Sequence, residues 1–550
     1  YLKQACSRGL QLAVFNSCDG LGIAERLLEQ GLCQVAIMRE PIHNQVAHAF
    51  LRRFILHLAE EQDAQDSLHA ACHDLKLSQR ITYPSAYCLP SLFRHPTTPP
   101  FQFQRVQSRD LVLRLLPTTR EAIALGFLLV VSVLPPVQDH LLGARLLVQA
   151  VYRDQTKQLP AESSKPPVVL VQIDEASLQA AQINQPKPIN RSYLASIISA
   201  LQERQANIIG IDYLLHRPEP TGPSQALNQS IQAAIKEQNT WFVFGAIKRL
   251  GQFEQKVHPS IAQPNWSLSG ESTIFWGHMA LPDSLESCAQ RCPLGYFLTL
   301  IAKIGQVKPE VLSSRLNLSN QGNLDDTLLV AAAEHRDNPG IEQISRVQRH
   351  GITLFSQAFG QLWFAPIVDY SIPKQSAYDQ VPAKELLSSS FQRSLENVIV
   401  LIGTGGYSQS DDNFPIPVAQ AYWQQRINKL PTADDVWGDD LNYFSGAEVH
   451  GFMMHHLYKQ WLIVPIPDVL MVLLTAFVCK LYSIGFLRLP GVFKPRTKWL
   501  SLGCAVSLYA IASLQAFLSF AMLVPVTFSV GTTIVYLIPK HRKRKREYLP

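Results

Sequence analysis

The stretch "PPVVLVQIDEASL", residues 166–178, contains a run of branched apolar residues that ends at Asp174 and is followed by a helix start. A continuous Val/Ile/Leu run without polar alternation is typical of a strand that is buried on both faces of a sheet. Asp174 stands where the strand ends and can cap the helix that follows. The stretch therefore predicts one strand-to-helix step of an α/β domain.

The residues that follow repeat this step. An amphipathic helix, "RSYLASIISALQERQ", precedes a second buried strand, "ANIIGIDYLL", which carries Asp212. Two further apolar runs, "TWFVFGAIK" and "ENVIVLIGTGG", are predicted strands, and "GAEVHGFMMHHLYKQWL" is a predicted helix. Buried strands separated by helices predict an α/β fold with a mostly parallel sheet covered on both faces.

Candidate ligand-binding residues follow from this fold. Ligands of such sheets bind beyond the carboxyl ends of the strands. The residues expected there are Asp174, Asp212, Gly403, Thr404 and Gly405. Both aspartates can instead simply cap the helices that follow their strands. The glycine turn lacks the Lys-Ser/Thr pair of a phosphate-binding loop, so a nucleotide site is not predicted.

Other polar residues give weaker signals. Asp411 and Asp412 can hold a cation, but a polar turn is the simpler interpretation. His450, His455 and His456 lie on a predicted helix, but neither later histidine stands four positions after the first, which is the spacing that a zinc pair needs. No metal site and no cofactor is predicted.

Long uncharged segments predict a membrane protein. Residues 499–539 contain no charged side chain, and as a helix they would extend about 60 Å, twice the hydrocarbon thickness. They are predicted to cross twice, at 499–520 and 521–539. A further span is predicted at 461–487. A shorter one is predicted at 121–139, where a buried soluble helix is the alternative.

Basic residues predict the orientation of these four spans. By the positive-inside rule, the face that carries the basic clusters is cytoplasmic. Residues 1–120 and both termini are then cytoplasmic, and residues 140–460 lie outside a bacterial plasma membrane or in a thylakoid lumen. The basic tail has no aromatic platform beside it, so nucleic-acid binding is not predicted. The clusters are Arg105, Arg109, Arg114 and Arg120; Arg488, Lys494, Arg496 and Lys498; and Lys540 to Arg546.

Two cysteines fall in the predicted outer segment. Cys288 and Cys292 form the motif "CAQRC". An even pair in an oxidising compartment predicts a small disulfide loop, with two free thiols as the alternative.

The ordered motifs of the outer segment resemble the type-two CHASE domain, an extracytoplasmic sensor module of bacterial signalling proteins. They are "VVLVQIDEASLQ", "QPKPINRSYLASII", "ANIIGIDYLL", "VIVLIGTGGYSQSDDNFPIP" and "GAEVHGFMMHHLY", followed by apolar spans. The resemblance covers roughly residues 140–539. It implies a periplasmic α/β sensor held between one N-terminal and three C-terminal spans.

The N-terminal segment resembles the C-terminal part of the CHAT domain, a caspase-like module found in cyanobacteria. The motifs are "LAVFNSCDGLG", "VAIMREPIHNQVAHAFLRRFILHLAE" and "YPSAYCLPSLFRHP". The resemblance implies that Cys18 occupies the position of the nucleophile of a cysteine peptidase, and a packed, inert cysteine is the alternative. In caspases the base lies about 50 residues upstream, so an N-terminal part is expected to precede Tyr1, and the sequence as given is expected to be inactive. His43 and His48 follow the cysteine and are expected on or beside a helix.

Two functions remain open on the sequence. The first is a membrane receptor that couples an outer sensor to a cytoplasmic caspase-like domain, and the second is a non-catalytic membrane scaffold or accessory subunit. The expected partners are membrane lipids, an unidentified periplasmic ligand, and other membrane proteins or further copies of the chain. The predicted divisions are 1–100 (partial CHAT domain), 101–120 (basic linker), 121–139 (span), 140–460 (sensor), 461–487 (span), 488–498 (basic loop), 499–520 (span), 521–539 (span) and 540–550 (basic tail).

Overall fold

The chain divides into two compact units, Tyr1–Leu116 and Pro117–Pro550. The computed structural model describes residues 5–537 except for 7–8, 16–19, 79–81, 104–114, 162–164, 218–220, 248–254, 275–276, 280, 283–287, 289–291, 311–321, 336–337, 339–340, 342–350, 408, 429–442 and 488–494.

The N-terminal unit is a small α/β structure around a three-stranded sheet. The central strand β2 is buried at all five positions, pairs parallel with β1 and antiparallel with β3. Phe50 and Phe54, one turn apart on α2, are fully buried and stack on each other. The elements are β1 (Leu12–Phe15), α1 (Gly20–Glu29), β2 (Gln34–Met38), α2 (Asn44–Ala59), α3 (Ala64–Ser78) and β3 (Pro90–Arg94).

The second unit is built on a six-stranded sheet in which every pairing is parallel. The strand order is β7-β6-β5-β9-β4-β8, so β9 lies at the centre of the sheet although it is the last of these six strands in the sequence. The strands are β4 (Val168–Ile173), β5 (Ile208–Ile211), β6 (Trp241–Ala246), β7 (Leu268–Glu271), β8 (Asp379–Pro382) and β9 (Ile399–Thr404). The prediction of an α/β fold with a mostly parallel sheet is confirmed.

Helices cover both faces of this sheet, because the strand side chains are apolar on both sides. On one face, Ile209 and Ile211 pack in a core with two helices, α7 (Arg191–Glu203) and α8 (Thr221–Gln238). On the other face, Ile208 and Leu401 pack in a core with α9 (Leu294–Val307) and α15 (Gly446–Lys459). The helices of the sheet domain are α6 (Glu175–Ala180), α7 (Arg191–Glu203), α8 (Thr221–Gln238), α9 (Leu294–Val307), α10 (Leu324–Glu334), α11 (Gly351–Ala358), α12 (Lys374–Ala377), α13 (Ala383–Leu386), α14 (Val418–Asn428) and α15 (Gly446–Lys459).

Apolar helices precede and follow the sheet domain. Two short ribbons accompany them: β10 (Asn413–Pro415) with β11 (Tyr443–Ser445), and β12 (Val464–Pro465) with β13 (Met522–Leu523). The helices are α4 (Thr119–Ser132), α5 (Pro135–Thr156), α16 (Asp468–Leu487), α17 (Pro495–Phe520) and α18 (Thr527–Leu537).

The expectation of four membrane-spanning helices is not supported by helix length and composition. Over the described residues, Leu500–Phe520 is the one helix long and apolar enough to cross a membrane. Helices α4 and α5 meet that criterion only as a pair, and they are bent by 77° at the break between them. The Pro135-Pro136 pair starts a new helix instead of continuing the first. Helix α18 has 11 residues, about half of what a crossing needs.

The basic clusters that gave the predicted orientation fall largely outside the described residues. This holds for Arg105, Arg109, Arg114, Arg488, Lys494 and the tail from Lys540 to Arg546.

Candidate functional site

The carboxyl ends of the three central strands bring most of the predicted ligand-binding residues together. The backbone N–H of Asp212 donates to the carbonyl of Ile402, and that of Gly405 donates to the carbonyl of Ile173. These bonds join the ends of β5 and β4 to the end of β9. A Cβ added at Gly405 would lie 2.8 Å from the Cβ of Asp174, so the backbone passes directly against that aspartate.

Helix α15 begins at the same edge of the sheet. Its Ser445 and Glu448 form a reciprocal capping box. A Cβ added at Gly403 would lie 2.5 Å from the Cβ of Ala447, which shows how closely the first turn of α15 packs on β9. The positive end of this helix therefore points at the ends of the strands.

Two carboxylates and one imidazole form the centre of the site, which we call the acid–histidine cluster: Asp212, Asp412 and His450. His450 Nε2 lies 3.9 Å from Asp212 Oδ2. Asp412 Oδ2 accepts the backbone N–H of Gly446 at 2.9 Å and the hydroxyl of Thr404 at 3.2 Å. The side chain of His450 is 1% exposed, and the backbone of Ser272 lies beside its ring.

The electrostatics of the cluster follow from burial without a balancing cation. Within the described part of the chain, neither carboxylate pairs with a lysine or an arginine. Burial raises the pKa of Asp212 to about 6. Burial and the charge of Asp212 raise the pKa of Asp412 to about 7. Burial lowers the pKa of His450 to about 4, although Asp412 acts in the opposite direction.

Two tyrosines complete the surroundings. Tyr213 follows Asp212 directly, and burial together with Tyr407, Asp212 and Asp412 raises the pKa of its hydroxyl well above the ordinary value. Burial also raises the pKa of Tyr407. Both phenols are therefore neutral at pH 7, and a side-chain hydrogen bond joins them. The site can change its charge by exchanging a proton near neutral pH, and its carboxylates can receive a cationic or proton-donating group.

Asp174 and Asp411 play lesser parts. Asp174 Oδ1 accepts the backbone N–H of Ser177 at 2.7 Å and caps α6, the alternative that the sequence left open. The side chain of Asp411 is 93% exposed and pairs with Lys187 at 2.5 Å. Asp411 therefore lies at the surface, unlike the neighbouring Asp412.

Sequence reasoning missed His450 and underrated Asp412. The sequence interpretation weighs His450 only for a zinc pair, and Asp412 only for a cation site or a polar turn. One signal in the sequence could have found both residues: Ser445 and Glu448 mark the start of a helix. If that helix begins at the carboxyl edge of the sheet, its first turn points at the preceding acidic loop, which contains Asp412.

Another histidine of α15, His456, links the sheet domain to the apolar helices. Burial lowers the pKa of His456 to about 3, so the ring is neutral, and its Nε2 accepts the backbone N–H of Asp369 at 3.0 Å. Asp369 Oδ2 in turn accepts Arg153 Nη2 of α5 at 3.0 Å. The guanidinium of Arg153 lies over the ring of Phe517 on α17, 5.7 Å from its centroid. A continuous set of contacts therefore runs from α15 to α17.

The remaining predicted site residues are placed as follows. Cys288 and Cys292 are joined in a disulfide and are buried. Cys18 lies outside the described residues. His43 caps the N-terminus of α2. In the described part of the chain, no group of three or more His, Cys, Asp or Glu side chains is arranged to hold a metal ion.

Together, the parallel sheet and the polar cluster at its carboxyl edge define an α/β domain with apolar helices before and after it in the chain. The chain belongs to the CHASE2 domain family, whose model matches residues 126–484, well over half of its length. CHASE2 is an extracytoplasmic sensor domain, which gives the chain a role in signal sensing. No curated protein and no solved structure matches the chain significantly.

Proposed function

We propose that the chain is a membrane-anchored receptor whose outer sheet domain senses a cue at the acid–histidine cluster. The observation that carries the proposal is a buried His450 beside the largely buried side chain of Asp212 and the partly buried Asp412, with no balancing lysine or arginine among the described residues, at the edge where α/β sheets bind ligands. Buried titratable groups with shifted pKa values are typical of functional sites.

A membrane anchor formed by α4, α16, α17 and α18 is supported by their packing and their surfaces. Helices α4, α16 and α18 pack on one another. Their outer surfaces are apolar, which suits lipid. Large apolar side chains that stay exposed include Ile123, Phe127 and Val130 on α4; Leu470, Leu473, Leu474, Phe477, Val478 and Leu481 on α16; Leu500, Leu508 and Ile511 on α17; and Ile534 on α18.

The proposed topology places the sheet domain outside and residues 1–116 in the cytoplasm. Intact cells that carry Val418→Cys should be treated with a membrane-impermeant maleimide, since Val418 is 55% exposed on α14. Cys88, an exposed free thiol of the N-terminal unit, is the internal control. The expected result is label on the introduced thiol but not on Cys88 in intact cells, and label on both after permeabilisation. Equal labelling of both in intact cells would contradict the topology.

The proposed sensing site is tested by the response of α15 to pH. Deprotonation of Asp412 and Asp212 puts negative charge against the first turn of α15, which Asp412 holds through Gly446. Hydrogen exchange of this turn, corrected for the intrinsic effect of pH, should differ between pH 5 and pH 8. The double variant Asp212→Asn with Asp412→Asn should lose this difference, and Asp411→Asn should keep it. A difference that persists in the double variant would exclude the cluster as the sensing site.

For the N-terminal unit we propose the caspase-like CHAT module that the motif resemblance implies. The parallel pairing of β1 and β2 around α1 is compatible with it. A thiol-directed probe should label Cys18 faster than Cys33 or Cys72 in a chain that carries the upstream base. Equal rates favour the second function, a non-catalytic scaffold.

A further inference from the structure

Helix α11 is amphipathic in the opposite sense to a helix of a soluble domain. Its polar residues Thr353 and Ser356 are 2% and 1% exposed. Its apolar residues Ile352 and Phe355 are 58% and 61% exposed, and Phe359, which follows the helix, is 63% exposed. In a soluble domain the apolar stripe of such a helix faces the core. Here the apolar stripe faces away from the protein.

The contacts of the segment after α11 place it beside the apolar helices. The side-chain amide of Gln361 donates to the carbonyl of Val133, the residue that ends α4. The backbone N–H of Phe364 donates to the carbonyl of Pro465, 3.2 Å away and three residues before α16 begins. The segment therefore touches the point where the chain leaves α4 and the point where it enters α16.

The composition of this segment fits a membrane interface. Residues 351–364, "GITLFSQAFGQLWF", contain no charged side chain. The segment contains Trp363 next to its last residue, and Trp461 lies just before β12. Tryptophan is enriched where proteins meet the headgroup region, and short helices with one strongly apolar face lie in the plane of that region.

We propose that α11 lies on the outer surface of the membrane, with Ile352, Phe355 and Phe359 inserted at the boundary between headgroups and acyl chains. The inference rests on the proposed function, since it requires α4 and α16 to enter the bilayer beside α11. The partner of this apolar stripe is lipid, because the stripe continues the exposed apolar surface at the end of α4, where Leu134 is 44% exposed. The sheet domain is then held against the membrane by a second contact besides its spans.

The contact is tested by photocrosslinking of the full chain in vesicles of phosphatidylcholine and phosphatidylglycerol that contain an alkyne-tagged lipid. p-Benzoylphenylalanine replaces Phe355, or Phe477 of α16 as the control for the proposed anchor, or Val418 of α14 as an equally exposed position of the sheet domain. Phe477 and Val418 are 53% and 55% exposed, so the three positions are matched in exposure. Lipid capture at position 355 should exceed that at position 418 at least tenfold.

The controls separate the failure of this inference from the failure of the proposed function. Lipid capture at 477 but not at 355 would overturn the interfacial helix and leave the anchor intact. Absence of lipid capture at both positions would overturn the anchor itself. Capture of a second copy of the chain at 355, in place of lipid, would also overturn the inference.

Discussion

The surroundings of Asp412 keep its carboxyl group protonated up to a higher pH than is usual for aspartate. Its carboxylate accepts hydrogen bonds from Gly446 and Thr404, but no cation balances it among the described residues. Asp212 lies close enough to raise its pKa further. The two carboxylates therefore share a site that holds a proton up to nearly neutral pH, which is unusual for aspartate.

The raised pKa predicts how stability depends on pH. Asp412 titrates at 3.8 in the unfolded chain and at about 7 in the fold, so between these values the folded state binds a proton that the unfolded state has released. The contribution of Asp412 to the free energy of unfolding then falls as pH rises from about 4 to about 7. His450 acts in the opposite direction between about 4 and 6.5, because its folded pKa is lowered. Between 6.5 and 7 the contribution of Asp412 is unopposed by His450.

Asp412→Asn should remove this fall, because asparagine stays neutral at every pH. Relative to the original chain, the variant should gain about 4 kcal/mol in the free energy of unfolding between pH 4 and pH 7, since the pKa of Asp412 is raised from 3.8 to about 7 and each pKa unit is worth about 1.4 kcal/mol. Denaturant titrations of the detergent-solubilised chain, followed by tryptophan fluorescence, measure it. Asp411→Asn is the matched control and should leave the pH dependence unchanged. A variant that keeps the full fall would show that another group titrates there.

At the scale of elements, α15 connects the site with the rest of the molecule. Residues Gly446–Leu457 of this helix are buried, its first turn packs on β9, and its last turn carries His456. Glu448 closes the capping box and also accepts hydrogen bonds from Tyr378 and Gln380, at 3.3 Å and 3.0 Å. The helix therefore contacts the acid–histidine cluster at its first turn and Asp369 at its last turn.

The close packing of α15 on β9 predicts that Gly403→Ala is poorly tolerated. The added Cβ would lie 2.5 Å from the Cβ of Ala447, so α15 has to shift away from the sheet. The expected loss in the free energy of unfolding is about 1–3 kcal/mol, measured by the same denaturant titration. Gly143→Ala in α5 is the control, because an added Cβ there meets no atom within 4 Å. That variant should gain up to about 1 kcal/mol from helix propensity, and equal effects at the two positions would refute the packing argument.

An ion pair joins two of the apolar helices. Lys480 of α16 lies 2.6 Å from Glu121 of α4, and both side chains are about nine-tenths buried. Lys480→Met leaves Glu121 buried without its partner and should cost about 3–5 kcal/mol. Adding Glu121→Leu should recover most of the loss, since no buried charge is then left. Thermal unfolding in detergent measures both, and a double variant as unstable as the single one would contradict this account.

At the scale of the whole molecule, Arg153 holds the sheet domain and an apolar helix together. It bonds to Asp369 and Ser371 of the sheet domain and lies over Phe517 of α17. Asp369 also contacts the end of α15 through His456. These contacts form a route from the acid–histidine cluster, through α15 and Arg153, to α17.

Arg153→Met should therefore destabilise the whole second unit. Asp369 is 1% exposed and would lose its cation, at a cost of about 3–5 kcal/mol. Hydrogen exchange should rise both in α15 and in the last turns of α17. Arg426→Met is the control, because the Arg426 side chain is 57% exposed and its partner Asp154 keeps Lys157 and Tyr422, so the loss should cost less than about 1 kcal/mol. An increase in exchange confined to α5 would argue against the route.

The sequence by itself determined the parallel sheet, because Val and Ile runs without polar alternation are stable only between two layers of helices. It also placed Asp174, Asp212 and the glycine turn at one edge, since the carboxyl ends of parallel strands lie together. Only the tertiary structure brought Asp412 and His450 to Asp212, because they come about 200 residues later in the chain and reach it through the central position of β9 and the start of α15. Hydropathy also did not show that Val464–Pro465 pairs as a strand with Met522–Leu523, within two of the predicted spans. Burial and pairing between distant segments decide such points, and neither is local in sequence.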